Sequence, residues 1–435
     1  MNATPSTTAA TPPPHHRDVG ATTRRGMLGL GLGNTLEWYD WMVFGLLSAF
    51  LGPHFFPAED PVSATLSALA VFAVGFAVRP LGGVLFGVVA DLIGRRRVML
   101  ASVGLMAVTT LVIAVTPTYG AIGAWAGVIL VVCRLLQGIS TGIEAPLSTA
   151  YAVELNPAGR EGRAAGYISF FVNLGILLAS LVSFATSWII GGDAMQEWGW
   201  RVPFIIGALL GVVVLYLRRA LPETLHEEER ADNSTGTVWR GVGKHWLGLL
   251  AIVFVVGAAQ AYNYAWNVGL PNLARGTFRE DPTAVFALTT ALGVVLLVGS
   301  LVTGALADRF KLSRTFLATR LLAIPSVFLM LLYDQPGILG FAAVLLGGSV
   351  VLVLNMTLYN VITTSLMPKS CRATGAALGY GVAVALFGGT ASYLLVWLQQ
   401  RDLDWLFPTY AAVLSLVSVV LYVAARRHSG TFCGE

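Results

Sequence analysis

Charge is what this sequence has least of. Asp, Glu, Lys and Arg together make up 11% of its 435 residues, against about 25% in an ordinary soluble domain. So sparse a set leaves no polar coat for a body of this size, which excludes a soluble enzyme and a disordered chain. The charges are also nearly balanced, 27 basic against 23 acidic. The pI near 9.0 therefore reflects no basic face, and no nucleic-acid partner is expected. Cysteine is equally scarce. Cys133, Cys371 and Cys433 form an odd set without metal-ligand spacing, and read as small apolar fillers or bystanders. No metal, cofactor or enzymatic activity is expected, because neither a nucleophile–base constellation nor a phosphate-binding loop is found. The Thr/Pro-rich first 25 residues lack the apolar stretch and cleavage site of a secretory signal and read as a disordered tail.

What is abundant is apolar surface. Hydrophobic residues account for 56% of the chain, with 48 glycines besides, and the mean hydropathy is +0.73. A bilayer core about 30 Å thick is crossed by about 20 helical residues. Apolar runs divided by short polar clusters fall at 26–51, 63–89, 98–116, 121–148, 164–190, 202–220, 245–270, 284–306, 314–333, 336–366, 373–399 and 405–426. The expected fold is an all-α polytopic membrane protein with 12 transmembrane helices. An even number sets both termini on one side. Of the 27 Lys and Arg, 20 lie on that side, four lie in the opposite loops, and Arg79, Arg134 and Arg320 fall within spans. The excess of bases marks the terminal side as cytoplasmic.

The longest internal polar stretch, 221–244, reads as a cytoplasmic linker. It divides the chain into two six-helix bundles, 26–220 and 245–427, with cytoplasmic tails at 1–25 and 428–435. The bundles echo each other. G-V-V-A-D-L-I-G-R-R-R from Gly87 to Arg97 follows the second crossing, and G-A-L-A-D-R-F-K-L-S-R from Gly304 to Arg314 follows the eighth, 217 residues later. Pro157, Arg163 and Gly166 are matched in the same way by Pro368, Arg372 and Gly375. Two similar halves that rock about a midplane solute site are the architecture of a secondary transporter.

An ionised side chain at mid-bilayer costs about 2.5–3.5 kcal/mol on insertion scales, so each one asks for a partner or a task. The intramembrane set is Glu37, Asp40, Arg79, Arg134 and Glu144, all in the first half. Glu37 and Asp40 share one helical face, with Asn34 a turn earlier. Arg134, Gln137, Thr141, Glu144 and Ser148 step by three and four and form one polar stripe facing the bundle interior. Proton coupling is expected at Glu37, Asp40 and Glu144, with the Glu37–Asp40 pair as the natural carrier. Three carboxylates against two arginines sum to −1, so one proton brings the set to neutrality. Arg79 suits an anionic solute through bidentate bonding; the alternative is a structural link from Arg79 to Asp40 or Glu37. In the second half Gln260, Tyr264 and Asn267 step along crossing seven beside Tyr262, and Asn355 and Tyr359 lie in crossing ten. Together with Asn34, Arg79, Arg134 and Gln137 they form the expected walls of a small polar solute site.

The Gly87–Arg97 stretch matches in full the signature loop of the major facilitator superfamily. Further stretches resemble its metabolite:proton symporter family: Gly33 to Gly45 is similar to G-N-x-x-E-W-[FY]-D-F-x-x-Y-G, Arg79 to Gly83 to R-P-x-G-G, and Arg134 to Gly138 to R-x-x-Q-G. Trp198 to Phe204, Leu217 to Thr224 and Phe387 to Thr390 extend the likeness, which covers residues 26 to 427. The resemblance implies proton-coupled import of a small metabolite, an organic acid first, across the bacterial inner membrane by alternating access. It also implies a cytoplasmic gate at Gly87, Asp91, Gly94, Arg95 and Asp308. A monomer is expected. Two departures stand out. Ile143 precedes Glu144 where the family has glycine, and Lys311 replaces the glycine of the second signature loop, so that copy is expected to be the weaker. The alternative on the same fold is a proton antiporter exporting a drug or secondary metabolite; Arg79 and the polar stripes weigh against its large apolar cavity.

Overall fold

Backbone N–H and C=O groups find no water in hydrocarbon, so an apolar chain satisfies them within its own helices. A computed structural model describes residues 17–58, 60–83, 95–142, 161–219, 235–368 and 371–430, and among them there is no strand. The principal helices are α1 (Arg17–Leu46), α2 (Pro61–Gly83), α3 (Arg95–Val115), α4 (Trp125–Thr141), α5 (Glu161–Ile190) and α6 (Arg201–Arg219). They continue with α7 (Trp246–Thr277), α8 (Pro282–Arg309), α9 (Leu312–Leu332), α10 (Ile338–Ser365), α11 (Thr374–Gln399) and α12 (Leu406–Ser429). Nine helices among the described residues are long and apolar enough to cross a membrane unaided, and α6 adds a tenth with the stretch Gly192–Gly199, bent from it by 60°. Helices α1 and α4 lie where the first and fourth crossings are expected. Trp125, Trp188 and Trp405, each at a helix end, are more than half exposed, as aromatic residues at a membrane–water boundary are. The fold is an all-helical, multi-pass membrane architecture.

One boundary differs from expectation. Helix α1 begins at Arg17, inside the 1–25 segment read as a disordered tail. The prolines of that segment end at Pro14, and from Arg17 onward no ring interrupts the helical ladder. Within 221–244, residues Thr235–Lys244 form a ten-residue helix; the rest of that linker lies outside the described residues.

The echo between the halves extends to how helices start. Asp60 caps α2, its Oδ1 accepting the Val62 and Ser63 N–H groups at 2.9 Å, with Pro61 in the first turn. Hydrogen bonds from the Ser63 hydroxyl and backbone hold its carboxyl below the usual range. Asp281 and Pro282 repeat the device at α8, where Oδ2 accepts the Ala284 N–H at 2.8 Å.

The halves meet chiefly along α5 and α8. At one end Asp308 Oδ1 accepts the Gly162 N–H at 2.7 Å, midway Asn173 donates to the Leu296 carbonyl at 3.0 Å, and at the other end Ser187 and Thr283 hydroxyls are 2.8 Å apart. A Cβ on Gly162 would stand 2.5 Å from the Gly304 carbonyl oxygen, so the first of these contacts needs glycine. The end carrying Arg95, Arg163 and Arg309 is the basic end of the molecule. The opposite end carries the connection from α1 to α2.

Lys311 stands at the place of Gly94 in the other repeat and has φ +57°, a region that favours glycine. Strain of this kind costs on the order of 1–3 kcal/mol. Lys311→Gly should therefore raise thermal stability in detergent by about 1 kcal/mol after glycine's own entropy is set against it. An apparent Tm that stays level or falls would show that the turn is unstrained.

Candidate functional site

Helix α1 presents Glu37 and Asp40 one turn apart, and the structure sends them to different arginines. Glu37 Oε1 lies 3.3 Å from Arg79 Nη2 of α2, and Asp40 Oδ2 lies 3.2 Å from Arg134 Nη1 of α4. All four side chains are at most 4% exposed. Glycines in α2 and α4 make this possible. A Cβ on Gly138 would lie 2.0 Å from the Gly75 carbonyl oxygen, and one on Gly142 would lie 2.4 Å from that of Arg79. The small residues let the two backbones touch, so both guanidiniums reach α1 together. Trp41 lies between them, its ring centroid 4.3 Å from Arg79 Cζ and 5.3 Å from Arg134 Cζ. Phe76 adds a second face to Arg79 at 4.6 Å and Phe44 one to Arg134 at 3.8 Å. Ring faces stabilise buried cations, and the motif aromatic serves both.

The surroundings of the two pairs differ. Asp40 also accepts from Gln137 at 3.1 Å and from the Thr110 hydroxyl, and Gln137 Nε2 reaches Thr110 Oγ1 at 3.0 Å. Each of these partners belongs to the first half. The Glu37–Arg79 pair instead meets the second half. Tyr264 of α7 lies within electrostatic reach of both charges, and Tyr380 of α11 interacts with Arg79 and with Tyr359. The Tyr264 ring stacks on Trp38, with centroids 6.2 Å apart, and turns its edge to Phe76 at 5.1 Å.

Behind Tyr264 the polar residues of α7 form a chain. Gln260 Nε2 donates to the Tyr359 hydroxyl at 3.1 Å, and Asn267 Nδ2 donates to Asn263 Oδ1 at 2.9 Å. Asn263 Nδ2 closes on Gln260 Oε1 at 3.4 Å. Two expected wall residues lie elsewhere. Tyr262 bonds Ser326 at 3.0 Å and the Gly348 carbonyl at 3.1 Å, and Asn355 donates to the Thr319 carbonyl at 3.0 Å. Both tie helices of the second half together. Arg320 does the same, donating to the Val255 carbonyl at 2.9 Å with its guanidinium on Phe316. Asn34 is buried one turn before Glu37.

At the basic end Asp308 accepts the Gly162 N–H and lies 3.5 Å from Arg163 Nε, so it caps α5 of the other half where a helix N-terminus favours negative charge. Arg95 is the first residue of α3. Glu144, Gly87, Asp91 and Gly94 lie outside the described residues.

Sequence reasoning missed Thr110, Tyr380 and Asn272. The last links α7 to α1 at the end opposite the basic one. For Tyr380 the available signal was a lone tyrosine between Gly379 and Gly381.

Comparisons with known proteins identify the family and the fold. The Major Facilitator Superfamily profile matches residues 30–392. The chain is 33% identical over 419 residues to the alpha-ketoglutarate permease of Escherichia coli (strain K12), covering 94% of this chain and 96% of the permease. It is 30% identical over 425 residues to the proline/betaine transporter of Salmonella typhimurium, covering 93% and 83%. With the citrate-proton symporter of Klebsiella pneumoniae it shares 29% over 395 residues, covering 90% and 89%. Among solved structures, the proton:xylose symporter XylE superposes with a TM-score of 0.73 at 17% identity, over 96% of this chain and 98% of XylE; at that identity the likeness is one of fold. The chain belongs to the major facilitator superfamily.

Proposed function

We propose that this protein is a proton-coupled symporter that imports a small organic acid by alternating access, with Glu37 and Arg79 as its coupling pair. The observation that carries the reading is the position of that pair. It is the buried ion pair that second-half side chains, Tyr264 and Tyr380, approach. Relatives named for alpha-ketoglutarate permease and citrate–proton symport support an acid solute. The excess of Lys and Arg on the terminal side supports cytoplasmic termini in a bacterial inner membrane.

The chemistry is an exchange of partners. In the empty carrier Glu37 neutralises Arg79. A solute carboxylate takes the guanidinium through two parallel hydrogen bonds, and Glu37, released from its cation, binds a proton. Empty and fully loaded sites are then both neutral, whereas solute alone or proton alone leaves a net charge in the membrane. A buried charge opposes movement of the halves, so only the two neutral forms cross, and this is symport. The Asp40–Arg134 pair, held by first-half residues, anchors α1 to α4.

Purified protein in proteoliposomes, given a panel of carboxylates and betaines under an inward proton gradient, should accumulate an acid, and a protonophore should abolish the accumulation. Solute efflux driven by the opposite gradient would replace this reading with antiport. Glu37→Gln should lose gradient-driven accumulation yet keep solute exchange. Asp40→Asn, which strands Arg134, should cost about 3–5 kcal/mol of stability, measured by unfolding in detergent. If Asp40→Asn is instead stable and uncoupled, the roles of the two pairs are reversed.

Asp308 serves as the latch at the basic end, joining α8 to the start of α5. Asp308→Ala should change the maximal transport rate severalfold with KM kept. A change confined to KM would contradict a latch.

A further inference from the structure

Helix α1 stops at Leu46, and an eight-residue helix, Ser48–Phe55, continues its course after Leu47. In an uninterrupted helix the Ala49 N–H would donate to the Gly45 carbonyl four residues back. Here both groups bond to one side chain from the other half of the molecule. Ala49 N–H donates to Asn272 Oδ1 at 2.8 Å, and Asn272 Nδ2 donates to the Gly45 carbonyl at 2.7 Å. The second Nδ2 hydrogen goes to the Val268 carbonyl at 2.8 Å. The amide is fully buried and has replaced one rung of the α1 ladder, a known cause of helix bends. Its approach depends on Gly45, where a Cβ would stand 2.7 Å from Val268 Cγ2.

Asn272 also sits between two π-helical stretches of α7, Ala265–Gly269 and Leu273–Thr277. Such widened turns concentrate at functional sites. The same junction brings Arg275 over the Phe50 ring at 5.0 Å, and Gly276 against the Thr65 side chain.

We propose that Asn272 is the clasp that shuts the carrier at the end opposite the basic one, and that it opens by exchange. When the outer part of α7 withdraws, the Ala49 N–H and Gly45 carbonyl pair with each other and α1 heals into one continuous helix. Simple rupture would leave two backbone groups of α1 without a protein partner. Exchange pairs them with each other, and only the side-chain amide is left to the water that enters. Helix α1 is thus a two-state element, and its break lies nearly three turns from the Glu37–Arg79 pair. The role of the clasp in shutting the carrier rests on the alternating-access reading, but the test needs neither solute nor proton gradient, so the two ideas fail separately.

Thr65→Cys in a cysteine-free background reports the parting of this junction through its reaction with a membrane-impermeant maleimide in detergent. Cys133, buried inside the first half, serves as the reporter of unfolding in a second chain that keeps it as sole cysteine. Asn272→Ala, and Asn272→Asp at pH 8, which keeps the shape but cannot donate to Gly45, should each speed labelling at position 65 roughly tenfold, as the loss of one or two net hydrogen bonds implies. Cys133 should stay unlabelled. Hydrogen exchange around Ala49 should remain slow in Asn272→Ala, because the healed helix protects it. Labelling that is unchanged in either variant, or that rises in step with Cys133, would overturn the clasp. Fast exchange at Ala49 would overturn the healing step.

Discussion

A guanidinium in hydrocarbon needs a carboxylate or the face of a ring beside it, and in this protein one helix supplies both to two arginines. Glu37 and Asp40 stand a turn apart on α1, Trp41 follows at once, and Arg79 and Arg134 converge on them from α2 and α4. The packing of the first half is arranged to allow that convergence. Gly75, Gly138 and Gly142 bring α2 and α4 into backbone contact, and Thr110 and Gln137 take up further bonding capacity of Asp40. Without these contacts the arginines would carry the insertion cost of about 2.5–3.5 kcal/mol each with nothing to offset it.

The two ion pairs have similar chemistry but different neighbours, and the proposed mechanism assigns them the roles of anchor and coupling site on that difference. A pair enclosed by its own half feels nothing when the halves move. One that meets Tyr264 and Tyr380 across the divide changes its surroundings with every reorientation. The ends of the molecule show a related economy. At the basic end Asp308 caps a helix of the other half, and at the opposite end Asn272 stands in for a helical hydrogen bond of α1. Each contact lets one side chain satisfy backbone groups of the other half.

Much of this was legible in the sequence because charge is so rare in it. Glu37, Asp40, Arg79, Arg134 and Gln137 stand out from apolar runs, and the stripe spacing of Arg134 and Gln137 sets that pair facing inward; all five are buried. Which arginine meets which carboxylate was not legible. Spacing of three residues defines a shared face on α1, but the pairing depends on how α2 and α4 cross, which is a property of glycines in other helices. Periodicity also separates Tyr262 from Tyr264. Two residues apart is about 200° around a helix, so one faces the divide and the other faces α9 and α10. Asn355 lies on the same row as Tyr359 but is claimed by the Thr319 carbonyl, a partner that only packing reveals. Tyr380 and Asn272 are neutral polar residues in apolar spans, which are common; only the flanking glycines mark Tyr380, and nothing local marks Asn272. The significance of Asn272 lies in a break in α1, more than 200 residues away in sequence.

In the proposed mechanism, coupling comes down to whether the solute and Glu37 compete for Arg79. The most direct measurement follows the pH of a weakly buffered solution as the purified protein binds its solute in detergent, with no membrane and no turnover. Partner exchange predicts uptake of about one proton per solute bound, and its disappearance in Glu37→Gln. Binding by the parent chain with no change in proton occupancy would contradict the exchange outright.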